Sequence, residues 1–120
     1  MVTKKEFLEL TQGGLMFYKL ILPKLMMKEG GQTGFVINPF RDCPFKTFQI
    51  YKKGQIWLFQ DSVWSQDRGN VFKFGALYYK IKYKGHESEI KFAMLHDLLH
   101  LQKVEIRLSH LSNPLNISAS

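Results

Sequence analysis

Two groups of residues in this chain have types and spacing that could do chemistry. The first is His96-Asp97-Leu98-Leu99-His100. Histidines at i and i+4 share one face of a helix and can grip one zinc ion, and a metalloprotease places a glutamate directly after the first of them. Here that residue is Asp97, one methylene shorter, which would reach a bound water poorly. Spacing indicates no third ligand, although His86, Glu105 and His110 are available. On a helical wheel His96 and His100 fall with Glu89 and Lys103, away from the stripe Ile90, Met94, Leu98 and Leu101. The expected role is a pair of solvent-facing histidines, and a helix-borne metal site is the weaker alternative.

The second group is larger. Residues 41–84 hold nine basic side chains against three acidic ones, most of the net charge of +7 on the whole chain. The same stretch is dense in aromatics, among them Phe45, Tyr51, Trp57, Phe59, Trp64 and Phe74. Cations displace counterions from phosphates, and exposed rings stack on unpaired bases, so this combination suits a nucleic-acid surface. The plainer reading makes half of these rings core and the lysines a solvated face. No P-loop, Gly-x-Gly-x-x-Gly turn or nucleophile elbow is present to suggest catalysis.

Length and composition bound both readings. The 120 residues amount to one domain, 45% hydrophobic and 22% charged, which excludes a disordered chain and a fibre. One cysteine, Cys43, excludes an internal disulfide framework and every multi-cysteine metal site. The most apolar window, Leu15 to Met27, is broken by Lys19, Pro23 and Lys24 and falls short of the roughly 20 residues that span a bilayer. Glu6 and Glu9 stand where a signal peptide needs an apolar core. The expectation is a cytoplasmic protein with no membrane partner.

The elements that must position these residues form an α+β pattern, a small antiparallel sheet with helices before and after it. Residues 3–10 predict a short helix with Thr3 as N-cap and Glu6 at the capping-box spacing. Leu15 to Met27 predicts a second helix that Pro23 kinks or splits. Phe35 to Asn38 reads as a short extended piece. Thr47 to Tyr51 and Ile56 to Gln60 alternate as the two strands of a hairpin, joined by the four-residue turn Lys52-Lys53-Gly54-Gln55. After Gly69-Asn70, the spacing of Val71, Phe74, Leu77, Tyr78 and Ile81 predicts a helix packed on the sheet. Lys82 to Gly85 is a linker, and Glu87 to Gln102 a long last helix. Residues 1–108 are expected to form the single domain, and 109–120 a mobile tail.

One stretch is more specific than composition. It runs Asn38-Pro39-Phe40-Arg41, Lys46-Thr47-Phe48-Gln49-Ile50, a glycine turn, Trp57-Leu58-Phe59-Gln60-Asp61 and Gly69-Asn70-Val71-Phe72-Lys73-Phe74. Over about residues 33–82 it resembles the zinc-ribbon domain (Cys-His-Cys-Cys type) at the N-terminus of bacterial-type DNA primases. It is similar in particular to primase-like proteins of phages and mobile elements, with Asn-Pro-Phe-Arg where the first ligands would be. By position the family's four ligands fall on Asn38, Arg41, Leu58 and Asp61. A tetrahedral structural zinc needs four Cys or His ligands, so this module is expected to be degenerate and to bind no zinc or other cofactor. Phe40, Phe48, Leu58 and Phe59, with the flanking helices, would stabilise it in place of the metal.

The resemblance implies a template-contacting role, with single-stranded DNA as the favoured partner, in replication of a mobile element. The candidate contacts are Arg41, Tyr51, Lys52, Lys53, Trp57, Arg68 and Lys73. Each has an alternative: Trp57 could be core rather than platform, Lys52 and Lys53 could serve only the solubility of the turn, and Arg41 could pair with Asp42 or Asp61. Primases carry catalysis on a following acidic, metal-binding domain, and too few residues follow 82 to form one, so the chain is not expected to be an enzyme. The alternative is a metal-free structural or protein–protein interaction module of a replication complex.

Overall fold

The computed structural model describes residues 2–101, so the predicted tail over 109–120 and the end of the last predicted helix, Gln102, lie outside the described residues. Thr3 opens helix α1 (Lys4–Leu10) with both halves of the predicted capping box. The Glu6 amide donates to Thr3 Oγ1 at 3.1 Å, and the Thr3 amide donates to Glu6 Oε1 at 2.9 Å. The chain then turns back through left-handed Gln12, Gly13 and Gly14. Gly13 could be nothing else, since a Cβ there would lie 2.3 Å from the carbonyl oxygen of Gln55. Its own carbonyl accepts the Trp57 amide at 2.9 Å, which fastens this turn to the sheet.

Helix α2 (Leu15–Ile21) is shorter than predicted. It stops at Leu22 because the residue before a proline is driven out of the helical region, and Pro23 has no amide to continue the ladder. Met27, expected at the end of this helix, instead begins strand β1 (Met27–Lys28), which pairs with β2 (Gln32–Thr33) across Glu29, Gly30 and Gly31. Strand β3 (Val36–Ile37) falls inside the extended piece predicted over 35–38.

The predicted hairpin is present and longer than its sequence pattern. Strands β4 (Lys46–Lys53) and β5 (Ile56–Asp61) pair from Phe48↔Asp61 to Lys53↔Ile56. The four-residue turn is therefore corrected to two residues, Gly54 and Gln55. Gly54 adopts φ +65°, so the strands can stay paired through both lysines. Strand β6 (Arg68–Asn70), which the sequence did not reveal, closes the other edge. The antiparallel order is β1-β2-β4-β5-β6, and β3 also pairs with β4.

Helices α3 (Val71–Tyr79) and α4 (Glu87–Leu101) complete the α+β fold. Asn70 caps α3 by accepting the Lys73 amide at 3.0 Å. The predicted inner stripe of α3 is corrected in part. Val71 and Phe74 are buried, whereas Leu77 and Tyr78 are exposed and Phe72, Gly75 and Ala76 are buried in their stead. The cause is a second layer: α4 crosses α3 so closely that a Cβ on Gly75 would meet Ile90 Cγ2 and Met94 Sδ at 2.9 Å. A helix held between a sheet and another helix buries a wider arc than a one-sided stripe allows. Ile90, Met94 and Leu98 of α4 face inward as predicted.

The hydrophobic core runs from Phe7 to Leu98 and centres on Phe74. The Phe74 ring packs on those of Phe17, Tyr18, Phe40, Phe48 and Phe59, at centroid separations of 4.8 to 6.0 Å. No helix of the described residues is long and apolar enough to cross a membrane.

Candidate nucleic-acid interface

Register decides which side chains of the hairpin share a face, because residues directly opposite in an antiparallel pair project to the same side and successive residues to opposite sides. The pair Ile50↔Phe59 faces the helices and the core. The pairs Gln49↔Gln60, Tyr51↔Leu58 and Lys53↔Ile56 therefore project from the other face. Strand β6 extends that row, since Arg68 lies opposite Gln60 and Asn70 opposite Leu58. On the other side Gln32 of β2 lies opposite Tyr51. The sequence-predicted residues Tyr51, Lys53 and Arg68 thus stand on one sheet face whose remaining members are amides and aliphatics. None of these residues is acidic.

The amides make this face ordered. Gln49 Nε2 donates to the Thr33 carbonyl at 2.9 Å, and Gln60 Nε2 donates to Gln49 Oε1 at 3.2 Å. The Thr33 hydroxyl in turn accepts the Ile50 amide at 3.1 Å, bridging the gap between β2 and β3. Lys53 and Arg68 are exposed and Tyr51 is half-buried.

The other predicted contacts are not brought to this face. Trp57 is corrected from platform to core: it is 7% exposed and lies on the core side of β5, and its carbonyl accepts the Tyr18 hydroxyl at 3.1 Å. Lys52 lies opposite Trp57 and so projects to the helix side, exposed at its rim. Lys73 lays its aliphatic chain over Gly69 and donates from Nζ to the Gln66 carbonyl at 3.2 Å.

Arg41 is committed elsewhere. It pairs with neither Asp42 nor Asp61 but with Asp67, through Nε to Oδ2 and Nη2 to Oδ1, both at 2.8 Å. Its guanidinium carbon stands 5.4 Å from the Trp64 ring centroid. Asn38, only 1% exposed, joins the two acids. Its Nδ2 donates to Asp61 Oδ2 at 2.8 Å and to Asp67 Oδ2 at 3.0 Å, while its Oδ1 accepts the Phe40 amide at 2.7 Å. Asp61 also accepts the Thr47 hydroxyl at 2.7 Å and the amides of Val63 and Trp64 at 2.7 and 2.9 Å.

Asn38, Arg41 and Asp61, three of the four positions the resemblance assigned to ligands, thus meet in one polar knot with Thr47 and Asp67, which carried no sequence signal. The fourth, Leu58, is not there; it lies on the open face opposite Tyr51. The expected stabilisation by hydrophobic rings is corrected accordingly. Phe40, Phe48 and Phe59 do gather around Phe74, Leu58 does not, and hydrogen bonds rather than oil fill the space between Asn38 and Asp61.

The knot sets the charge states of its acids. Burial pushes the Asp61 carboxyl up, but the Trp64 amide, Thr47, Asn38 and the Val63 amide together outweigh it and hold the group below its ordinary value. Asp67 is held low chiefly by the Arg41 guanidinium, against burial and with help from Asn38. Folded-state values below the unfolded ones add stability that is present above the unfolded range of about 4 and is lost as pH falls through the folded values. Thermal melts should therefore hold steady from neutrality to about pH 5 and fall progressively below about pH 4. Asp67→Asn should melt lower at neutral pH and show a shallower acid decline; a decline as steep as in the parent would assign acid sensitivity to other carboxylates.

The histidine pair is laid out as the helical wheel indicates. His96 and His100 are exposed on α4, their rings stacked at 5.8 Å. Asp97 is engaged by the Tyr79 hydroxyl, whose proton is held well above its ordinary range by burial and by that carboxylate. Among the described residues no three His, Cys, Asp or Glu side chains are gathered as a metal-binding set. Cys43 is free and half-buried.

Fold and site together define a basic α+β protein: a six-stranded antiparallel sheet, helices on one face, and a carboxylate-free row on the other. No family model, curated protein or solved structure matches the chain.

Proposed function

We propose that the chain is a non-catalytic, metal-free accessory module that binds single-stranded nucleic acid, DNA in preference, on the open face of its sheet, working in the cytoplasm in replication of a mobile element. One observation carries this reading: Tyr51, Lys53 and Arg68 stand on a sheet face without a carboxylate. A ring flanked by cations suits a strand whose bases stack while its phosphates release counterions. The exposed amides Gln32 and Gln60, the latter oriented by its bond to buried Gln49, offer polar groups to base edges without the repulsion an acid would bring. The resemblance to the primase ribbon supplies the replication setting. Arg41 and Trp57 are not part of this interface, since the fold uses both for stability.

Fluorescence anisotropy of a labelled oligothymidylate, titrated with the full chain in rising salt, tests the proposal. Binding is expected at about 50 mM salt and should weaken steeply as salt rises. Lys53→Ala with Arg68→Ala should flatten the plot of log affinity against log salt by about 1.4 units, two contacts at about 0.7 each for a single strand. Lys52→Ala should leave the slope unchanged, because Lys52 projects to the other face. Tyr51→Ala should cost about 1–3 kcal/mol of affinity if the ring stacks. No binding at low salt would overturn the reading.

A second reading, a structural or protein–protein interaction module of a replication complex, is favoured by the burial of Trp57, which leaves Tyr51 the one aromatic ring in the paired rows of the open face among the described residues. Capture of a replication protein by a chain with no oligonucleotide affinity would establish it over the first.

A further inference from the structure

We infer that the groove between the end of α2 and strand β3 docks an acidic, amphipathic segment of a protein partner. The groove encloses about 560 Å³ and shares no residue with the Tyr51–Lys53–Arg68 face, so the inference stands apart from the proposed function. Its walls are apolar and open to solvent: Met26 is 71% exposed, Phe35 49% and Ile37 47%. Large apolar side chains left together at a concave surface mark a place where another molecule removes them from water.

Charge specifies the molecule. Lys24, Lys28 and Lys46 line the same groove, and no acidic residue does. None of the three lysines has a carboxylate within ion-pair distance among the described residues. An occupant must therefore bring apolar side chains for the walls and negative charge for the rim. A second copy of this chain, itself at +7, brings the wrong sign. A nucleic-acid strand brings the right sign but the wrong surface, because methionine and isoleucine walls offer no platform for a base and Phe35 is the one ring in the lining. A peptide with leucine-like residues on one side and carboxylates on the other meets both demands. Strand β3 pairs with β4 alone, so among the described residues its outer backbone edge, beside the groove, carries no other strand. An extended segment could add its own main-chain hydrogen bonds there.

The test uses the full chain and a labelled short peptide carrying leucines on one side and glutamates on the other. Binding is expected, weakening with salt, and amide resonances of Phe35 and Ile37 should shift on titration. Reversing two rim charges together, Lys28→Glu with Lys46→Glu, exchanges two attractions for two repulsions and should weaken the complex about tenfold or more. Ile37→Asp should weaken it with the lysines intact, and Lys53→Ala with Arg68→Ala should not. The same peptide with lysine for glutamate should not bind. Indifference of peptide affinity to the charge reversal would overturn the inference. So would oligothymidylate or phosphatidylserine vesicles binding through these lysines when the acidic peptide does not.

Discussion

Replacing Asp61 with alanine is expected to destabilise the fold by about 3–5 kcal/mol, although the residue is a single carboxylate at the end of a strand. The side chain accepts from Asn38, Thr47 and the Val63 and Trp64 amides. Alanine accepts nothing. Asn38 retains Asp67 and Thr47 can rotate its hydroxyl, but the two amides of the turn after β5 lose their fixed acceptor. An orphaned donor costs about 1–3 kcal/mol, and each lost bond to a charged group about as much. Asp42→Ala, at an exposed position, should stay within about 0.5 kcal/mol of the parent. Urea unfolding with an unchanged m-value measures the difference, and Asp61→Asn should fall between the two because it keeps one acceptor oxygen. Equal stability of the Asp61→Ala and Asp42→Ala chains would show that the knot is decoration.

The bonds of the knot show where sequence reasoning reached and where it stopped. Asn38, Arg41 and Asp61 are picked out only by the resemblance, and their mutual arrangement depends on Asp67, which lies in a loop with no periodicity to place it. Local chemistry was legible wherever one or two residues decide the backbone: the Thr3–Glu6 box, the break at Pro23 and the helix that opens after Gly69-Asn70, although the helix before Pro23 ends sooner than expected. The β4–β5 hairpin was legible because Phe48 and Ile50 alternate with Thr47, Gln49 and Tyr51 in β4 and Gly54 marks the turn before a second extended run. Strands β1, β2 and β6 were not, because two or three residues carry no period. Trp57 was misplaced for a different reason. Alternation separated Ile56 and Leu58 from Trp57 and Phe59 correctly, but alternation alone does not say which side meets the core; α1, α2 and α3 decided that by packing on the Phe48–Phe59 side. The same choice put Tyr51, Lys53 and Arg68 on the open face and Lys52 on the helix side, so the candidate interface was half legible. Its residues were named, and register decides only which of them share a face.

Phe74→Ala is the second large effect, about 3–5 kcal/mol, the range for truncating a fully buried ring. Phe74 is the point at which α2, α3, the sheet and the Asn38–Arg41 loop meet, through Phe17 and Tyr18, Phe48 and Phe59, and Phe40. Packing is close around it, and the surrounding side chains are rings whose planes are fixed by one another, so the space left by the truncation cannot be filled by a small shift of any one of them. Phe74→Leu keeps most of the volume and should cost far less. Phe45→Ala, at a ring 71% exposed, should be nearly neutral. The three variants, compared by urea unfolding, separate ring-specific packing from simple hydrophobicity. Because Phe74 packs on the core face of the sheet and Tyr51, Lys53 and Arg68 project from the other, any folded fraction of the Phe74→Ala chain should bind oligothymidylate with the parent's salt slope. A slope that falls together with stability would mean that the open face is shaped from beneath by this ring, and that the sheet's two faces are not energetically separate.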